Sequence, residues 1–194
     1  MPKLKLKNSK IPYVRLGTVM TNVLLRNFEK YSRLVESSGV RSWEFYRPMV
    51  PKTMAERWNE FKMSKSDLAI FLKHFRRLSA SGIDAYIANA VPLCITDNDR
   101  LRVFLRGARF DDGYSRLVLD ARGFFKPSYS IDLNMGETIQ GAWSHPFRQR
   151  LMSLSYLTKK CQLCIYARWC LGGSRYMAHE YSGDYFARDP LIQP

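Results

Sequence analysis

The chain has 194 residues, 46% of them apolar, with eleven Tyr, eleven Phe and four Trp. That composition excludes a disordered chain and is long enough for one large or two small domains with a core of their own. The formal charge of +14 (31 Lys and Arg against 17 Asp and Glu) suits an anionic partner, although the basic residues are scattered and a solvated surface is the plainer reading.

No apolar run is long enough for a membrane span, and the basic start "MPKLKLKNSK" lacks the apolar stretch of a signal peptide. We therefore expect a cytoplasmic protein with no membrane partner. Its four cysteines then read as ligands or buried thiols, not disulfides.

"IPYVRLGTVM" (11–20) has the β-branched, apolar content of a buried strand. Thr21 or Asn22 is placed to cap a helix whose apolar face is Leu24, Phe28, Tyr31, Leu34 and Val35, with Gly39 as its stop. "VRSWEFYR" is the next strand, closed by Pro48 and Pro51. Ser64 and Asp67 form a capping pattern for a second helix with Leu68, Phe71, Leu72, Phe75 and Leu78 as its buried stripe, ending at Gly82. "DAYIANAV" is the third strand, with Cys94 at its end. This alternation implies parallel strands joined by right-handed crossovers.

After Pro92 the pattern changes. "LRVFLRG", "YSRLVLD" and "GFFKPSY" read as short strands, with "DARG" as the hairpin turn between the last two. A helix through "ETIQGAWSHPFRQRLMSL" follows, with Pro146 in its first turns or between two pieces. The fold class expected is α/β: a partial, three-stranded parallel half-barrel over residues 1–93, then a small α+β module with a β-hairpin over 94–194.

"CQLCIYARWC" carries Cys161, Cys164 and Cys170 at Cys-x2-Cys-x5-Cys spacing. Two intervening residues let the first two sulfurs bite one metal, and the third can close a face of the polyhedron. Gly172 and Gly173 then allow a sharp turn with free N–H groups near the sulfurs. Zinc needs four such ligands and a cubane iron–sulfur cluster also needs about four thiolates. The fourth ligand is open among Cys94, His179 and Asp189. "FDDG" (110–113) reads as a turn more readily than a cation site. Arg175 is either a structural ion-pair partner, with Asp189 in view, or an anchor for phosphate or carboxylate.

Gly123-x4-Ser128 in the hairpin, Gly136 and Trp143 in "MGETIQGAW", the Cys161/Cys164/Cys170 triplet and Ser174 lie in a segment, 107–190, that resembles the SPASM module of radical S-adenosylmethionine (radical SAM) enzymes. Residues 11–93 resemble the last three strands of the radical SAM barrel. Ser128 and Ser174 stand where that pattern has cysteines. A serine alkoxide is far harder to form than a thiolate, so the resemblance implies that a first auxiliary cluster is lost.

What remains implies one auxiliary [4Fe–4S] cluster on Cys161, Cys164 and Cys170, with Cys94, Asp189 or His179 as fourth ligand, serving electron transfer or peptide-substrate handling. The cluster motif that cleaves S-adenosyl-L-methionine, Cys-x3-Cys-x2-Cys, is missing from the sequence. That cofactor is thus expected only if another chain supplies the front half of the barrel. On that half-barrel, Glu44 or Arg47, but not both, would face its interior toward a bound adenosyl group. An open parallel sheet also invites self-association as a homo-oligomer. The competing reading is a basic zinc module that binds nucleic acid.

Overall fold

The structure is a computed structural model that describes residues 13–50 and 55–192. The basic run at 3–10, the first residues of the opening strand and Pro51 lie outside the described residues. In chain order the elements are β1 (Arg15–Val19), α1 (Asn22–Arg26), α2 (Phe28–Ser38), β2 (Ser42–Tyr46), α3 (Trp58–Phe61), α4 (Lys65–Ala80), β3 (Asp84–Ile87), α5 (Asp99–Arg102), β4 (Val118–Leu119), β5 (Phe125–Lys126), α6 (Ile139–Trp143), α7 (Pro146–Ser153), α8 (Lys159–Gln162), α9 (Ala167–Cys170) and α10 (Arg175–Ser182). They form two compact units. The first holds the described residues up to Ala88 together with Thr96–Leu105; the second holds Asn89–Ile95 and the described residues from Arg106 onward.

In the first unit β1, β2 and β3 form a parallel sheet with β2 in the middle, Gly17 opposite Glu44 and Glu44 opposite Tyr86. The α/β class and the three-stranded parallel arrangement are as expected. One side of the sheet carries the core. Trp43 and Phe45 stack with Phe28 of α2, and Phe45 meets Phe71 and Phe75 of α4. α4 begins with a complete capping box, the Ser64 hydroxyl taking the Asp67 N–H and the Asp67 carboxylate taking the Ser64 N–H. Its buried residues are Leu68, Phe71, Leu72, Phe75 and Leu78, the stripe the periodicity predicts.

Three expectations in this unit need correction. The first helix is broken in two at Asn27, whose side-chain amide bonds the Val23 carbonyl 2.9 Å away and whose backbone leaves the helical region. Tyr31 and Leu34 are exposed; the buried face is Leu24, Phe28, Ser32 and Val35. "LRVFLRG" is no strand. Asn98 caps Arg100 N at 2.9 Å, Arg102 pairs with Asp99 and reaches the Thr96 carbonyl, and a helical turn, α5, results. Only Leu105 bridges to the sheet, at Ile87.

In the second unit β4 and β5 pair antiparallel through a turn over Asp120–Gly123, where the Asp120 carboxylate takes the N–H groups of Arg122 and Phe124. Gly123 has φ 87°, which favours glycine. The helix after the hairpin is two pieces, with Pro146 the first residue of α7.

Candidate functional site

All four cysteines fall in the second unit, and none of them is in a disulfide. Cys94 is not at the end of β3; it is exposed on a tight 3-10 turn, Leu93–Ile95. That turn packs against the segment after α9. A β-carbon on Gly173 would sit 2.7 Å from Pro92 Cγ, and Leu93 N lies 3.4 Å from Cys170 Sγ. The Gly173 N–H donates to the Cys170 carbonyl at 2.9 Å. Burial pushes the Cys170 thiol up in pKa; the backbone N–H groups of Leu93, Gly172 and Gly173 act against that shift, and neighbouring Cys94 adds to it.

Cys161 and Cys164 take the other side of the motif. Cys161 lies in α8, which the Thr158 hydroxyl caps at Cys161 N; Cys164 is exposed on the turn that follows, between the exposed side chains of Leu163 and Ile165. Among the described residues no three His, Cys, Asp or Glu side chains are gathered closely enough to hold a metal ion. The donor set fits a thiolate-bound cluster in its chemistry, four thiols within one unit, but only the Cys94 turn and Cys170 are drawn together.

The other two candidate ligands are engaged elsewhere. Asp189 is 0% exposed; Oδ2 accepts Ser174 N at 2.8 Å and Oδ1 accepts Leu191 N at 2.9 Å. His179 stacks on Tyr185 at 4.1 Å and places Nδ1 3.3 Å from Glu180.

A second constellation surrounds the two serines. The Asp112 carboxylate is buried, accepts Arg175 N at 2.7 Å and takes the Ser128 hydroxyl. Ser174, the residue before Arg175, caps α10 by accepting Met177 N. The fold therefore brings Ser128 and the Ser174–Arg175 step to two sides of one buried carboxylate. Burial, and then the charge of Asp111, pushes the Asp112 carboxyl up to about 7, while the Arg175 N–H, the guanidinium and Ser128 pull it down.

Arg175 is 1% exposed, and its guanidinium donates to the carbonyls of Gly172, Gly173, Tyr185 and Ala187. It is a structural cation, not an anchor for an outside anion, and its carboxylate neighbour is Asp112. Sequence reasoning treats "FDDG" as a turn. Asp111 does sit in one and pairs with Arg116 at 3.0 Å, but Asp112 points inward. Its φ of 56° before Gly113 is a local trace of that role.

In the first unit, the sheet face opposite the aromatic core carries a polar cluster. Glu44 accepts the Tyr46 hydroxyl at 2.7 Å, the Tyr86 hydroxyl, and Arg15 Nη1 at 2.6 Å. Arg47 is buried as well.

No protein-family model matches the chain, and no curated protein matches it. Among solved structures it is similar to Streptococcus suis SuiB bound to S-adenosylmethionine (14% identity, TM-score 0.60), covering 94% of this chain and 45% of that one. A second structure of Streptococcus suis SuiB matches at 12% identity and TM-score 0.60, covering 94% of this chain and 46% of that one. The likeness is one of fold: the chain shares the fold of part of these neighbours, in keeping with its partial, three-stranded parallel half-barrel, and spans about half their length.

Proposed function

We propose that the chain is a radical SAM-related protein whose second unit is SPASM-like and binds one [4Fe–4S] cluster on Cys161, Cys164, Cys170 and Cys94. It serves electron transfer or the handling of a peptide substrate, and does not by itself cleave S-adenosyl-L-methionine. The observation that carries the choice of ligands is the placement of the turn bearing Cys94 against Cys170, whose sulfur takes the Leu93 N–H at 3.4 Å, while Asp189 and His179 are engaged elsewhere. Hydrogen bonds of that kind favour a thiolate and set the potential of whatever it holds.

When bound, such a cluster supplies a one-electron couple. The protein's own part is to hold the sulfurs. Cys170 accepts the Leu93 N–H, and Cys161 and Cys164, on α8 and the turn after it, would supply the other two sulfurs of the triplet. S-adenosyl-L-methionine enters only where a front half-barrel with its own three-thiolate motif is present. The Glu44 cluster, on the half-barrel face opposite the aromatic core, is then the candidate contact.

Anaerobic reconstitution with iron and sulfide tests this reading. About four irons per chain, with a thiolate-to-iron absorption band, are expected for the wild type. Cys94→Ser is expected to lose the band, whereas Asp189→Asn and His179→Ala keep it. Stoichiometric zinc and no cluster would instead support the nucleic-acid-binding module. Turnover of S-adenosyl-L-methionine by this chain alone would refute the claim that a front half is required.

A further inference from the structure

Two guanidiniums of the second unit lie over partly exposed rings without a carboxylate to neutralise them. Arg109 sits 4.6 Å over the Trp169 ring and 5.4 Å over the Tyr114 ring. Arg148 sits 4.0 Å over the Trp143 ring, and its Nη2 donates to the Tyr114 carbonyl at 3.4 Å. Trp169, Arg109, Tyr114, Arg148 and Trp143 thus follow one another in a single row, ring and cation in alternation. Trp169 is 46% exposed and Trp143 38%. Among the described residues neither Arg109 nor Arg148 pairs with a carboxylate. Arg116 and Arg122 also lie over rings, but they pair with Asp111 and Asp120.

The main chain fixes both ends of the row. The Ala108 N–H donates to the Trp169 carbonyl at 3.0 Å, and a β-carbon on Gly107 would collide with that carbonyl, so glycine lets the Arg109 segment close on α9. At the other end Arg148 Nη1 donates to the carbonyl of Trp143, the last residue of α6, at 3.2 Å. Side chains held in this way have already given up freedom that binding would otherwise cost.

We infer that this row binds single-stranded nucleic acid with little dependence on sequence. Unpaired bases stack on the indoles, and the phosphates between them meet the two uncompensated guanidiniums. The chain's charge of +14 draws in any polyanion and selects none. Selection comes from the rings: a duplex keeps its bases stacked on each other, and an acidic peptide brings carboxylates without a planar group at every step. This inference does not rest on the cluster reading, and it needs no zinc.

The test uses the full chain, treated with a chelator, and fluorescein-labelled oligouridylate and oligothymidylate of about 12 nucleotides. Anisotropy gives affinity across a salt series, and tryptophan emission reports stacking. Both strands are expected to bind and to quench tryptophan, and a duplex of the same length to bind about tenfold more weakly. Trp143→Ala and Trp169→Ala should each weaken binding about tenfold, with Trp169→Phe retaining most of it. Arg109→Gln and Arg148→Gln should each lower the salt slope by about 0.7. Lys73→Gln, which removes one exposed charge from the first unit, should leave affinity unchanged. Circular dichroism checks the fold of each variant. Trp143 lies apart from the Gly107–Ala108 contact with Trp169, so its variant decides the matter even where Trp169→Ala fails to fold. No binding at low salt, equal affinity for the duplex, equal displacement by polyglutamate, full affinity in Trp143→Ala, or binding only once zinc is added would overturn the inference. Iron uptake is measured separately, so that absent iron with strand binding intact counts against the cluster reading alone.

Discussion

The two units are held together by different physics. The first has an aromatic interior of Phe28, Trp43, Phe45, Phe71 and Phe75, wrapped by regular hydrogen bonding in a parallel sheet and a 16-residue helix. The second has helices of eight residues or fewer, and among its buried residues are Arg175, Asp112, Asp189, Ser128 and Ser174. Apolar burial is roughly additive in area and tolerates change at any one position. A buried polar network does not: removing one member leaves its partners desolvated and unpaired. The second unit should therefore be the more brittle to single polar substitutions, and the first to loss of volume.

The largest effect expected is at Arg175. Arg175→Ala leaves four carbonyls, two buried and two half-buried, without their donor and Asp112 without its counter-charge, at a cost of about 5 kcal/mol. Segment-resolved hydrogen exchange should show protection lost from α10 and the 170–175 turn while α4 stays protected. Equal loss in α4 would sink the contrast between the units. Phe45→Ala is the mirror experiment. Phe45 is fully buried and packs at a tilt on Trp43 and Phe75, so its truncation should cost about 4 kcal/mol, read as lost protection in α4 and β2.

pH should separate the units by sign. Asp112 titrates near 7 when folded against an ordinary value of 3.8, so the native state holds a proton that the unfolded chain has released. Its contribution to the second unit is fully present below about pH 4 and is lost as pH rises to about 7, on the order of 4 kcal/mol in all. Glu44 runs the other way. Burial pushes its carboxyl up, but the Tyr86 and Tyr46 hydroxyls and Arg15 outweigh that and hold it below its ordinary value. Its contribution to the first unit is present above the ordinary glutamate range and is lost as pH falls through the lowered folded value. Urea unfolding followed by exchange in each unit, at pH 5 and pH 7.5, checks this. Asp112→Asn should flatten the second unit's slope, and a slope that persists would remove Asp112 as its cause.

This division also explains what the amino-acid order reveals. The sheet, the α4 stripe and its Ser64–Asp67 box are legible because their partners lie within a few residues or repeat with a fixed period. The capping box is the next effect in size: Ser64→Ala should cost about 1 kcal/mol and lower the thermal midpoint accordingly. The Asp112 site is not legible in that way, since its Arg175 partner is 63 residues distant and Ser128 belongs to the segment after β5. The same holds for the thiols. Spacing marks Cys161, Cys164 and Cys170, but the choice among Cys94, Asp189 and His179 depends on which chain segment packs on Cys170. α5 fails for the opposite reason: a short apolar run reads as a strand until the Asn98 cap and the Arg102 bond to the Thr96 carbonyl are weighed.

The smallest effect tests the edge of the aromatic core. Periodicity puts Tyr31 and Leu34 on the buried face of α2 with Val35, and the structure turns both outward because the buried line runs Leu24, Phe28, Ser32, Val35 and Ser38. If Leu34 were in the core, Leu34→Gln would cost at least 2 kcal/mol, roughly the transfer of a buried leucine plus an unpaired amide. At 51% exposure the expected cost is within about 0.5 kcal/mol, and Val35→Ala one residue on should cost more. Urea midpoints of the two variants decide it: the larger shift at Leu34 would mean that Leu34, and not Val35, faces the core.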